Sequence, residues 1–372
     1  MSSLAGLRIA QVTAQTEGGI GRHVSTLIPE LIDRGASVEV VAPDGVRPLA
    51  REDLGATFVP MEIPRSMISL ALRSLRVRLR SVLSEAHLVH AHGTRAGAAV
   101  SLSLRNSEIP VLVTVHNAAF TDSLGGRVST FASDQLLARY AKKRIYVSED
   151  MARRARRSRP ERAGDVLTIP AGALLEDVSE EQSASASQRL EALAARPFIF
   201  CAGRLHPQKG FDILVKAASG LDPAASIFIA GEGPARKGLE ALINQLGMTE
   251  RVFLLGRRDD VGALISAADV VCMPSRWEGS PLALHEALHL GKPVVASAVG
   301  GIVDMIEDGV SGVLVPSEDA VALADALSRV LGDEALRLSL TEGAKKAAAK
   351  WPDARATAAR IADVYAEVLS GS

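Results

Sequence analysis

The sequence predicts an α/β protein of two doubly wound domains, and three observations carry that prediction. Short β-rich runs alternate with longer Ala- and Leu-rich helical patterns along the chain, the signature of βαβ units whose parallel sheets are covered on both faces. The runs fall into two sets of six. A length of 372 residues with 47% apolar composition suits two buried cores.

The first set places strands at 7–13, 38–42, 88–92, 111–116, 144–148 and 166–170. The second places them at 198–203, 226–231, 252–256, 270–274, 293–297 and 312–316. Between the sets, residues 176–197 are polar and rich in Ser and Ala, which reads as a connection with a short helix and puts the boundary near residue 172. The last pattern, ARIADVYAEVL, is helical with Ile361, Val364, Tyr365 and Val368 on one face. No strand follows it.

Composition narrows the function classes. Residues 1–170 carry 23 Lys+Arg against 16 Asp+Glu, a net +7; the rest carries 19 against 27, a net −8. This asymmetry suggests either an anionic partner for the first half or two halves that attract each other. Aromatics make up 3% of the chain and no nucleic-acid module is recognisable, so nucleic acid is not an expected partner. Cys201 and Cys272 sit in apolar runs and read as buried thiols. The start, MSSLAGLRIAQV, lacks the basic-then-apolar order of a signal peptide, and no run approaches eighteen apolar residues, so a cytoplasmic location is expected.

In open parallel sheets ligands bind beyond the carboxyl ends of strands. The chemistry-bearing residues follow strands here: Gly18, Gly19 and Gly21 after the first, His92 and His116 after the third and fourth, Arg204 and Lys209 after the seventh, Glu278 after the tenth. Three glycines between a strand and an amphipathic helix suit a phosphate at the helix N-terminus, and equally a tight structural turn. Their spacing is not G-x-G-x-x-G and no acidic residue caps the second strand, which disfavours a nicotinamide dehydrogenase. Arg204 offers a planar fork and Lys209 a point charge, a pair suited to a diphosphate or simply a solvated basic loop.

RWEGSPLALHEAL, residues 276–288, sets Glu278 and Glu286 eight residues apart. Ser280 reads as the N-cap and Pro281 as the first helical residue, with Gly291 and Pro293 ending the helix. Glu278 then lies in the loop and Glu286 within the helix, while the amides of Gly279 to Leu282 face whatever sits at the N-terminus. A glycosidase pair must flank one bond, and these positions suit two ends of an extended ligand better. A second Gly-Gly pair, Gly300-Gly301, marks another strand-to-helix junction, either a close approach or a turn. No Asp-x-Asp occurs and no His, Cys and carboxylate set has metal-ligand spacing, so no metal and no cofactor are expected. Residues 64–83 form a basic amphipathic helix with Arg65, Arg73, Arg76 and Arg80 beside a stripe of Ile68, Leu72, Leu75, Leu79 and Val82. Such a helix either lies on an anionic membrane or packs its stripe on the sheet. A second basic run, Arg153 to Arg159, reads as a solvated face.

GGIGRH, GR-x4-KG at 203–210, PSRWEGSPLALHEAL with Glu-x7-Glu, and GKPVVASAVGG at 291–301 together resemble glycosyltransferase family 4, retaining enzymes of the GT-B fold. The resemblance covers nearly the whole chain. It implies two Rossmann-like domains facing an interdomain cleft: an acceptor-binding domain, 1–172 with the final helix 353–372, and a donor-binding domain, 173–352. It further implies that Arg204 and Lys209 neutralise the diphosphate of a nucleoside diphosphate sugar, that Glu278 holds sugar hydroxyls and Glu286 the ribose, that Gly19 lies against the diphosphate or sugar, and that His116 stands near the donor sugar. Where the family often has Asn in P-N-G, this chain has Pro170-Ala171-Gly172. Some relatives are peripheral membrane enzymes with lipid acceptors. A nucleotide-sugar epimerase and a non-catalytic nucleotide-sugar binder are the alternatives, and base, sugar and acceptor stay open.

Overall fold

The computed structural model describes residues 3–14, 19–44, 52–64, 73–116, 124–175 and 177–371. The chain divides into two compact units, Met1–Gly172 with Pro352–Ser372, and Ala173–Trp351.

The first unit carries β1 (Arg8–Thr13), α1 (Gly19–Asp33), β2 (Ser37–Ala42), β3 (Thr57–Pro60), α2 (Arg73–Val82), β4 (Leu88–His92) and α3 (Thr94–Ser103). It continues with β5 (Val111–Val115), α4 (Leu124–Tyr140), β6 (Lys143–Tyr146), α5 (Glu149–Ser158) and β7 (Val166–Thr168). All seven strands are parallel, in the order β3-β2-β1-β4-β5-β6-β7. The sequence reading missed β3. Its four residues end in Pro60 and pair only with β2 at the sheet edge, and half-exposed Phe58 and Val59 give it no buried apolar run.

The second unit carries α6 (Glu180–Glu191), β8 (Phe198–Ala202), α7 (Phe211–Ala217), β9 (Ser226–Ala230), α8 (Arg236–Gln245), β10 (Val252–Gly256) and α9 (Val261–Ala267). There follow β11 (Val270–Met273), α10 (Leu282–His289), β12 (Val294–Ser297), α11 (Ile302–Met305), β13 (Val313–Val315), α12 (Ala320–Gly332) and α13 (Glu334–Ala348). The six strands run in the order β10-β9-β8-β11-β12-β13. In both sheets the first strand of the unit sits beside the second on one side and a later strand on the other. The switch points are therefore β1/β4 and β8/β11, the places in open parallel sheets beside which ligands bind.

The final helix α14 (Ala354–Ser370) belongs to the first unit. The face read from its periodicity, Ile361, Val364, Tyr365 and Val368, is buried in one core with Ile9, Val24, Leu27, Leu31 and Val40. Arg34, only 8% exposed, fastens it with a 2.8 Å bond to Glu30, a 2.6 Å bond to Asp363 and a 3.2 Å bond to the Ala359 carbonyl. Those partners satisfy a buried guanidinium whose desolvation is otherwise costly. Asp353 caps the helix by accepting from the Ala356 amide at 2.7 Å, and the Thr357 hydroxyl donates to the Pro170 carbonyl at 3.0 Å.

Apolar clusters cover both faces of the second sheet, and Phe228 links Phe198 edge-to-face to Phe253, which stacks on it. Asp269 is structural: it accepts from the Phe198 amide at 2.7 Å and from Arg196 at 3.0 Å. Cys201 and Cys272 are free and buried.

Of the basic helix, residues 65–72 lie outside the described ones, including Arg65, Ile68 and Leu72. In α2, Leu79 is fully buried, Leu75 and Val82 are half-buried, and Arg73 and Arg80 are exposed. Arg76 is half-buried and Val77 stands 58% exposed. The described part of the stripe thus packs inward and leaves Arg73 and Arg80 outward.

Candidate functional site

In the second unit three loops leave the carboxyl ends of the adjacent strands β8, β11 and β12, and they converge on Glu278. Its side chain is 4% exposed, and Oε1 accepts from Lys209 Nζ at 2.5 Å and from the Ser275 hydroxyl at 2.7 Å. Gln208 donates to the Trp277 carbonyl at 3.0 Å and reaches Glu278 Oε2 at 3.5 Å. The carboxylate is thus gripped on one oxygen, and the other keeps most of its accepting capacity. The ammonium, 19% exposed, spends one of three donors on Glu278.

Two glycines make this geometry. Gly210 closes the Lys209 loop at φ 63°, and a Cβ there would lie 1.9 Å from the Pro274 carbonyl oxygen. The loops after β8 and β11 therefore touch backbone to backbone. Gly300, at φ 48°, would place a Cβ 2.0 Å from the Glu278 carbonyl, and the Gly301 amide donates to that carbonyl at 3.3 Å. Gly300-Gly301 is thus a close approach that supports Glu278 from behind. Arg276 ties the same loops together: its amide donates to the Gln208 carbonyl at 2.8 Å, and its guanidinium forks Asp212 at 2.9 and 2.8 Å and reaches Glu318 at 2.8 Å. Gly210→Ala should cost at least ~2 kcal/mol, from left-handed strain plus the backbone clash. A denaturant midpoint equal to that of the unmodified chain would refute this account of the loop.

Arg204 is exposed on the loop after β8. The nearby His206 is held below its ordinary pKa by burial and then by the Arg204 cation. Helix α10 begins at Leu282, and its N-cap is Pro281 with extended backbone, φ −75° and ψ 111°. This corrects the sequence reading, which put Ser280 at the cap and Pro281 inside the helix. Proline before the first turn leaves the Leu282 and Ala283 amides, not those of Gly279 and Ser280, at the mouth of the helix. Glu286 is half-buried one helical turn in.

In the first unit, Gly18 lies outside the described residues, and Gly19 and Gly21 belong to α1 itself. His92 ends β4, and His116 follows β5. Around them the structure gathers imidazoles that the sequence reading treated singly or passed over. His23 from α1, His90 and His92 from β4, and His116 are all buried, His116 being the least so at 8% exposure. Gln11 on β1 donates to the Tyr365 hydroxyl at 3.1 Å, and its carbonyl accepts from His92 Nε2 at 2.8 Å. With the amide so oriented, His92 carries its proton on Nε2 and turns the Nδ1 lone pair toward His116 Nε2, 3.5 Å away. His90 lies 2.5 Å from the Tyr365 hydroxyl and 2.7 Å from the Thr114 hydroxyl. Burial pushes the His23 pKa down to about 4, and burial, then the neighbouring imidazoles, hold His90, His92 and His116 well below the usual histidine range. All four are neutral at pH 7. Spacing along the chain conceals this cluster, because its members come from three different elements.

The two parallel-sheet α/β units have the architecture of the GT-B class. Residues 18–172 match the glycosyl transferase 4-like domain and residues 184–347 the glycosyl transferases group 1 family. The chain is 30% identical to a phosphatidyl-myo-inositol mannosyltransferase of Mycobacterium leprae over 95% of each chain. It is also 30% identical to a D-inositol 3-phosphate glycosyltransferase of Salinispora arenicola over 90% of this chain and 80% of that one. Among solved structures, HepE of Anabaena in complex with UDP-glucose superposes with a TM-score of 0.83 at 22% identity, over 97% of this chain and 100% of that one. The chain belongs to glycosyltransferase family 4.

Proposed function

We propose that the chain transfers a glycosyl group, with retention, from a nucleoside diphosphate sugar to a hydroxyl of an acceptor, and that it needs no metal to do so. The observation that carries this is the Lys209–Glu278 pair at the β8/β11 switch point, supported by Ser275, Gln208 and Gly300. As the bond to the diphosphate breaks, negative charge grows on the leaving oxygen. Arg204, the two remaining donors of Lys209 and the mouth of α10 stabilise that charge more in the transition state than in the ground state. Glu278 accepts from sugar hydroxyls through its less occupied oxygen, Glu286 accepts from the ribose, and neutral His116 is a further residue for the donor sugar. Departing phosphate takes the acceptor's proton, so no protein nucleophile is required. UDP-sugars are the favoured donors, with GDP-mannose second; the inositol-bearing acceptors named for the relatives favour a polyol acceptor that carries phosphate.

A thermal-shift panel of nucleoside diphosphate sugars tests the reading, because a ligand at 100 times its dissociation constant stabilises by ~2.7 kcal/mol. No shift with any member would sink it. Isomerised sugar formed from donor alone would instead favour an epimerase.

Exposed Arg73 and Arg80 beside Val77 support a peripheral contact with an anionic membrane. No helix among the described residues is long and apolar enough to cross a membrane. Replacing Arg73, Arg76 and Arg80 by Ser should weaken binding to vesicles rich in anionic lipid by ~10²-fold, at ~1 kcal/mol per cation. Sedimentation with vesicles measures this, and unchanged binding would exclude the contact.

A further inference from the structure

We infer that His23, His92 and His116 form a binding site for a divalent transition-metal ion of the zinc class, and that the bound ion switches transfer off. One ring nitrogen of each lies within 4.8 Å of the others, all three residues are buried, and each comes from a different element of the first unit. His23 supplies the second, independent observation. It is 2% exposed, and neither of its ring nitrogens has a hydrogen-bond partner among the described residues. A buried imidazole N–H without an acceptor costs ~1–3 kcal/mol, so something must compensate for it. A metal ion does so directly, because His23 can then present the lone pair of one nitrogen to the ion.

The surroundings fit imidazole ligation. Metal-binding histidines are oriented by a hydrogen bond on the nitrogen that does not ligate. The Gln11 carbonyl does this for His92, fixing Nε2–H and aiming Nδ1 at His116. Gln11 is held in turn by Tyr365. Tetrahedral coordination with metal–nitrogen distances near 2.0 Å needs ligand atoms about 3.3 Å apart. The His92–His116 distance of 3.5 Å meets this already. His23 closes to the same spacing from a separation of no more than 4.8 Å. Three neutral nitrogens, with no carboxylate in the group among the described residues, select Zn²⁺, Cu²⁺, Ni²⁺ or Co²⁺ over Mg²⁺ and Ca²⁺. The fourth position is left for water.

Binding the ion takes His116 away from the donor sugar, which is why it inhibits. This half rests on the role proposed above for His116; the binding half does not. Co²⁺ titrated into chelator-treated full-length chain should give one equivalent of a tetrahedral visible spectrum, displaced by Zn²⁺ and untouched by Mg²⁺. The His23→Gln variant should lose that spectrum. X-ray absorption at the zinc edge of the unmodified chain, which needs no variant to fold, should show three imidazole nitrogens. No cobalt spectrum, a spectrum that survives His23→Gln, or fewer than three imidazoles would overturn the site. At ten times its dissociation constant Zn²⁺ should cut transfer ~10-fold, as mass action requires, with chelator restoring it. Transfer by His23→Gln should be the same with and without Zn²⁺. Zinc that binds to three imidazoles without slowing transfer would remove the inhibitory half alone. Failure of every nucleotide sugar to bind would strike the function and leave the metal site standing.

Discussion

Replacing Lys209 by Met should lower turnover by ~10²-fold or more and destabilise the second unit by ~3 kcal/mol, while the double variant Lys209→Met with Glu278→Gln should regain most of the stability and none of the activity. Two physical effects share one residue here. The activity loss follows from removing a cation that faces the charge developing on the diphosphate. The stability loss follows from taking the cation away from the Glu278 carboxylate, whose side chain is 4% exposed and which then has Ser275 and Gln208 as its partners among the described residues. A neutral glutamine removes the buried charge, so the double variant separates the two effects. Denaturant unfolding and donor-dependent transfer measure them. If the double variant were no more stable than the single one, the buried ion pair would not be the source of the loss.

In the presence of a chelator, the first unit should lose stability steeply as pH falls below about 6.5. The sign follows from the direction of the shifts. His23, His90, His92 and His116 have folded pKa values below the unfolded value, so the unfolded chain binds more protons throughout that window. Their contribution is complete above pH 6.5 and is lost as pH falls toward the folded values, near 4 for His23. Each neutral histidine costs up to ~1.4 kcal/mol per pH unit in that range, so His23 alone removes ~2 kcal/mol by pH 5. Among the described residues, their hydrogen-bond partners do not rescue the charged forms: Gln11 and Thr114 are neutral, and burial holds the Tyr365 phenol protonated. Melting temperatures measured from pH 7.5 to 5 test this. A flat profile would mean that the cluster is solvated or already charged at neutral pH.

The sheets were largely readable because parallel strands buried on both faces are continuous apolar runs, as in VLVTV and SIFIA. β3 was not, because an edge strand needs only one partner and little apolar surface. At the loops after β8 and β11 the sequence exposed Arg204, Lys209 and Glu278 but not Ser275, Gln208 or Arg276. Serine, glutamine and arginine carry no periodic signal, and their importance comes from which loops a strand order places side by side. Gly300 illustrates the same point: its need for a positive φ is legible only once Glu278 is known to pass behind it. His23 was hidden for another reason. On an amphipathic helix a buried histidine falls in the apolar stripe and reads as core.

The bond from Gln11 to Tyr365, and the packing of α14 against α1, also bear on how the chain comes off the ribosome. The first unit is built from residues on both sides of the second, so the whole second unit is synthesised between its two parts. Domains generally fold as they emerge, the amino-terminal one first. Here that order is reversed in outcome: the second unit has its described strands and helices by Trp351, while the first must wait with an uncovered apolar face and a His90 lacking its Tyr365 partner for residues 354–370. A nascent chain arrested before α14 would therefore be the species most in need of a chaperone.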